Sequence, residues 1–200
     1  MMQVEKMTIY ELEDLFREDD LTVSAYDYKT HEIYLSDGCK CRLPLQTNVN
    51  QLKVEFLEDK PFLILIVQSG GAVMGLVEEG ELTYHKVFRG YLIRKKQGKS
   101  QLKHLKTKGK SRAGSRVRLS STFSFLDDIC QKLQEVFLET ELERIVFHCS
   151  DLLRPHFFER NKCFDKNDER LFPLGVNVDA PSYEFLERLL DRFSSAYYYQ

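Results

Sequence analysis

Between Arg94 and Arg118 the chain contains no aspartate and no glutamate, although 31 of its 200 residues are acidic. Other absences narrow the possibilities first. No apolar run approaches the roughly 18 residues that a membrane-spanning helix needs, and the first twenty residues are amphipathic and acidic. A soluble, cytoplasmic protein with no membrane partner is expected. No Pro/Gly/Ser-rich linker divides the chain, so its 42% hydrophobic content and 14 phenylalanines are expected to serve one core, in a monomer. The cysteines number five, an odd count with no secretion signal, which argues against a disulfide framework. Cys39 and Cys41 form a C-x-C without a second close ligand pair, and His31, His85, His104, His148 and His156 fall in no metal-binding spacing. Neither metal nor cofactor is expected.

Familiar catalytic and nucleotide motifs are missing too. Gly98-Lys99-Ser100 and Gly109-Lys110-Ser111 each end like a Walker A loop, but Ile93 and His104 stand where that loop needs its first glycine. There is no G-x-S-x-G elbow, no G-x-G-x-x-G opening a helix, and no repeat at 20 to 50 residues.

What is present is the acid-free stretch itself, with eleven lysines and arginines between Arg94 and Arg118. The remaining residues therefore carry −13 of a total of −2, and a near-neutral protein is strongly polarised. An uninterrupted positive run repels itself and resists burial unless a polyanion neutralises it. Charge alone leaves two readings open, a solvated basic loop or a loop that meets phosphates. Either way, mobility is expected between about residues 96 and 111.

Around this loop the pattern predicts a layered α/β domain with a mixed, largely antiparallel sheet packed with helices. Apolar spacing gives a docking helix over 9–17, strands over 21–28, 32–35 and 41–45, and a loop or helix start over 47–50. The continuous apolar run over 62–67 suits a central strand covered on both faces. Gly70-Gly71 and Glu79-Gly80-Glu81 supply turns before strands over 72–77 and 82–94, a meander that delivers the chain into the basic loop. A helix is expected over 124–139 with Ser124 and Asp127 as its capping box, or starting earlier near Ala113. A buried strand over 144–149, a helical piece over 152–159, a strand over 171–178 and a helix opened by Pro181 complete the order.

The loop holds one neutral group suited to chemistry. Gln101 cannot act as a general base near pH 7, but its amide can accept a hydrogen bond from water and donate one to a developing oxyanion. Gly98 permits a close backbone approach, and the surrounding cations suit phosphates. The run Tyr91-Leu92-Ile93-Arg94-Lys95-Lys96-Gln97-Gly98-Lys99-Ser100-Gln101, continued by Lys108-Gly109-Lys110-Ser111-Arg112, resembles the signature loop of the Vms-type release-factor-like domain. Residues 62–75, His85 to Arg89, and the segment with Asp168 and Arg170 are similar to that family as well. The resemblance covers roughly residues 54–193.

That resemblance implies the release-factor middle-domain architecture, which is ribonuclease-H-like. It implies cleavage of peptidyl-tRNA on a stalled large ribosomal subunit, by ester hydrolysis or by cutting the tRNA 3′ acceptor end. Gln101, Gly98 and Ser100 match the family's catalytic loop. Arg89, Arg94, Lys95, Lys96, Lys99, Lys103, Lys106, Lys108, Lys110, Arg112, Arg116 and Arg118 become the candidate nucleic-acid contacts. Lys99 stands where the family usually has its second glycine. Residues 1–53 are expected to be a helix and short strands added to the core, and 54–200 a catalytic domain with its basic loop over 95–113. Two other classes remain open. One is a non-catalytic RNA- or ribosome-binding protein that keeps the loop; the other is a metal-dependent nuclease with carboxylates converging at strand ends.

Overall fold

The computed structural model describes residues 4–18, 21–57, 60–90, 110–178 and 180–199, with side chains throughout except at 18 and 110–119. At its centre lies a five-stranded sheet in the order β11-β10-β7-β8-β9. Here β7 is Phe62–Gln68, β8 Gly71–Glu78, β9 Glu81–Arg89, β10 Arg144–Cys149 and β11 Leu171–Pro173. The meander β7-β8-β9 is antiparallel, whereas β10 runs parallel to both β7 and β11. The expected mixed α/β architecture is present.

The all-apolar run of β7 is explained by the two layers that cover it. Leu63, Leu65 and Val67 face one core and Phe62, Ile64 and Ile66 the other, as the two-residue period of a strand requires. The first face carries α2, Lys110–Glu139, through Phe125, Leu126, Ile129 and Leu133. The second carries α4, Tyr183–Ser194, through Phe185, Leu186, Leu189 and Phe193. Helix α4 starts two residues later than the expected opening at Pro181, because Ser182 is its cap and accepts a hydrogen bond from the Phe185 N–H (3.2 Å). Gly75 of β8 makes this packing possible: a methyl group there would lie 2.7 Å from a Leu186 methyl.

The expectation for α2 is corrected on one point. The helix begins at Lys110, so Ser124 and Asp127 sit in its interior and cap nothing. Asp127 instead binds Arg160 of α3, Arg154–Arg160, whose guanidinium also lies 3.8 Å from the Phe123 ring centroid. The strand expected over 171–178 is reduced to β11, and the chain over 47–50 is extended rather than helical.

A second five-stranded sheet has the order β1-β12-β4-β3-β2. It comprises β1 (Val4–Met7), β2 (Val23–Asp27), β3 (Glu32–Leu35), β4 (Lys40–Arg42) and β12 (Ala196–Tyr199). One face buries Ile33, Leu35, Cys41, Ala196 and Tyr198 against Leu12 of α1, Ile9–Glu18. Thr8 and Glu11 form the capping box of that helix, with Thr8 N–H donating to the Glu11 carboxylate (2.7 Å) and Glu11 N–H to Thr8 Oγ1 (3.2 Å). A hairpin of β5 (Thr47–Asn50) and β6 (Lys53–Phe56) stands beside this sheet, turned by Gln51 and Leu52 at φ +47° and +60°.

The two sheets meet at His31. Its ring is buried, 4.9 Å from the ring of Phe172 in β11. Since a carbonyl can only accept, Nε2–H donates to the Pro44 oxygen (3.0 Å), which leaves Nδ1 to accept from the Tyr26 hydroxyl (2.7 Å). Burial drives the His31 pKa down to about 4 and pushes that of Tyr26 up to about 12, so both groups stay neutral. The Tyr28 hydroxyl bonded to the Leu171 carbonyl (2.9 Å) and Leu45 N–H bonded to Phe193 O (2.8 Å) add to the joint.

Candidate nucleic-acid interface

Parallel β7 and β10 end at the same edge of the central sheet, and β9 leaves from that edge. Gly90 N–H bonds Gly70 O (3.2 Å), which ties the outgoing chain to the β7-β8 turn. At this turn Gly71 faces Arg89 across the ladder, and a methyl group on Gly71 would lie 2.9 Å from the Phe88 carbonyl oxygen. Only glycine lets the two strands approach this closely where β9 hands the chain to the basic segment.

A cleft of about 750 Å³ opens at the same edge, lined among others by Gln68, Ser69, Arg89, Ser150 and Ser182. In sheets of this kind, ligands bind outside the carboxyl ends of parallel strands. The Gln68 amide is fixed by donation to Val178 O (3.1 Å). Ser150 follows β10, and its buried hydroxyl has no hydrogen-bond partner among the described residues. Sequence reading missed Gln68 and Ser150; the available signal was their position immediately after the runs over 62–67 and 144–149 that read as buried strands.

Of the candidate nucleic-acid residues, Arg89 is exposed on the cleft wall. Lys110, Arg112, Arg116 and Arg118 occupy the first three turns of α2, so this part of the predicted loop is helix. A helix of 30 residues is about 45 Å long, whereas a seven-residue strand such as β7 spans about 23 Å. Helix α2 is therefore much longer than the strands it covers, and among its described side chains the first in the core is Phe125. Arg94, Lys95, Lys96, Gly98, Lys99, Ser100, Gln101, Lys103, Lys106 and Lys108 lie outside the described residues, as does most of the stretch expected to be mobile.

Elsewhere the geometry favours structural roles. Asp168 accepts from Arg170 Nε (3.0 Å) and Nη2 (2.8 Å), and this pairing holds its carboxyl below the usual range. The pair fixes the approach to β11, where Leu171 N–H bonds Asp168 O (3.0 Å). Burial raises the thiols of Cys41, Cys130 and Cys149 to about 12, which disfavours the nucleophilic thiolate. Among the described residues no group of three or more His, Cys, Asp or Glu could hold a metal ion, and no helix is long and apolar enough to cross a membrane.

Residues 62–200 match the family model for the Bacteroidetes VLRF1 release factor. The chain belongs to this family. The match begins at the first residue of β7 and takes in the whole central sheet, the basic segment, α2 and β12. Membership gives this VLRF1-family chain a translation-related, ribosome-associated role. Its fold is similar to a solved structure described as the Vms1 mitochondrial localization core, at 15% identity and a TM-score of 0.50. That similarity covers 95% of this chain and 82% of the other, so it reaches into the residues before 62 that the family model leaves out. No curated protein sequence matches the chain.

Proposed function

We propose that the chain is a ribosome-rescue factor that cleaves peptidyl-tRNA on stalled large ribosomal subunits and so releases the nascent chain. The observation that carries this reading is the placement of an acid-free cationic segment between β9 and α2 in a member of a release-factor family. Gln101 positions the attacking water or hydroxyl and donates to the developing oxyanion. Gly98 and Ser100 shape the backbone around it. The lysines and arginines from Arg89 to Arg118 hold RNA phosphates, so affinity falls with salt.

The test is to incubate stalled large-subunit complexes with wild type and with Gln101→Ala. Release is expected from the wild type and a loss of at least tenfold in the variant, the scale on which removing one oxyanion donor acts (about 10²–10³). Equal release by both removes the catalytic role. Mapping the 3′ end of the freed tRNA distinguishes ester hydrolysis, which leaves it intact, from cleavage of the acceptor end.

Lys99 favours a second reading, a ribosome- or RNA-binding protein that holds its target without cutting it. If the family glycine adopts a positive φ, lysine there is strained by about 1–3 kcal/mol. Salt-sensitive binding to large subunits, with bound peptidyl-tRNA left whole, supports this alternative; restored cleavage in Lys99→Gly identifies the lysine as its cause.

A further inference from the structure

A separate cleft of about 610 Å³ lies between α3 and the β10-β11 edge, lined by Phe147, Arg154, Pro155, Phe158, Lys166, Leu171, Phe172 and Pro173. Its volume falls in the usual range for small-ligand sites. The lining holds two cations and no carboxylate, in a chain whose charge outside the basic segment is −13. Of the acids on the segment that carries Lys166, Asp168 is committed to Arg170, and Asp165 accepts from the Asn167 N–H (2.6 Å).

Flat surfaces make up most of the remaining wall. Phe147 and Phe158 are only partly buried, with centroids 5.6 Å apart and planes at 67°. The buried rings Phe157 and Phe164 back Phe147 at 5.0 and 5.4 Å, so it is held rigidly where it meets the cleft. Arg154 is likewise anchored, donating through Nη2 to Cys149 O (3.2 Å). Partly exposed aromatic rings lining a cleft with cations at its rim are an arrangement that can stack an unpaired base and neutralise its phosphate.

We propose that this cleft is a nucleotide site that takes one unpaired residue of an RNA strand, with the base against Phe147 and Phe158 and the phosphate between Arg154 and Lys166. It is distinct from the basic segment and does not depend on the chemistry proposed for Gln101. It gives the protein a second, stacking-based hold on RNA, less sensitive to salt than a purely ionic one.

The test is ultraviolet crosslinking of the full chain to decauridylate, followed by mass-spectrometric mapping of the labelled peptides. Labelling is expected within residues 147–172 as well as on the basic segment. Phe158→Leu, which keeps the apolar bulk but removes the ring, should reduce labelling of 147–172 about five- to tenfold, given what stacking contributes per base. Lys166→Glu, at an exposed position that cannot disturb folding, should reduce it similarly. Gln101→Ala should leave it unchanged even if release is lost, which separates this proposal from the catalytic one. Labelling confined to the basic segment, or unaltered in both cleft variants, overturns the proposal. Competition by uridine monophosphate as effective as that by unlabelled decauridylate overturns the strand as the source of the nucleotide.

Discussion

Buried His31 makes stability depend on pH in a way that can be worked out. Its pKa falls from the ordinary 6.5 to about 4 in the folded chain, chiefly because burial disfavours the imidazolium. On acidification the unfolded chain takes up this proton near 6.5, and the folded chain only near 4. The stabilisation is complete above 6.5 and is lost as pH falls through that window, by about 3 kcal/mol in all. In His31→Gln the difference in unfolding free energy between pH 7 and pH 4.5, measured with urea, should shrink by most of that amount. An unchanged difference would mean that the folded ring takes up its proton at the same pH as in the unfolded chain. Glycine substitutions should separate backbone crowding from side-chain crowding. Gly71→Ala drives a methyl group into the Phe88 carbonyl and should cost about 1–3 kcal/mol, whereas Gly75→Ala meets the mobile ends of Leu186 and Leu82 and should cost less. Thermal melts of the two variants check the order. None of this was readable from the sequence, since His31 occurs as one polar residue between two short strands and only the fold shows what surrounds it.

Among the elements, those with a full local pattern were the legible ones. Strand β7 announces itself by six consecutive apolar residues, and α4 by an apolar face repeated every three to four residues. The start of α2 had no such pattern, because its first turns are cationic rather than amphipathic, and the Ser124-Asp127 spacing imitated a cap. Strand β12 was equally hidden: Tyr197-Tyr198-Tyr199 carries no turn or period, and its strand character comes from pairing with β1 and β4 on either side. Tyr198 is nearly buried there, so Tyr198→Ala should destabilise the protein by about 3–5 kcal/mol, the cost of removing a large aromatic from a core. Hydrogen exchange should show the loss first in the N-terminal sheet. At the candidate interface Arg89 was legible as a candidate contact, while Gln101 and the cations over 94–108 lie outside the described residues. The cleft around Gln68 and Ser150 was not legible, because it is assembled from residues over a hundred positions apart.

For the whole molecule, charge separation predicts the response to salt. If the proposed contacts to single-stranded RNA form, replacing Lys95 and Lys96 together by glutamine should make the slope of log K against log salt shallower by about 1.4, leaving the melting temperature unaltered. Titrations at four or five salt concentrations decide it, and parallel slopes would remove these lysines from the contact. We further propose that residues 1–53 are an addition to a catalytic domain spanning 54–200. A chain beginning at residue 54 should then keep exchange protection in β7, β8 and β10 while β12 loses it, since Ala196 and Tyr198 would have no partner sheet. The position of β12 also bears on biosynthesis. Val4 pairs with Tyr199, so β1 has to remain unpaired on this side until the chain 195 residues further on has emerged from the exit tunnel. Contacts of such sequence separation form slowly. During translation the nascent protein therefore carries an unzipped β1, exposed to chaperones and to unwanted pairing, that closes only once β12 has emerged.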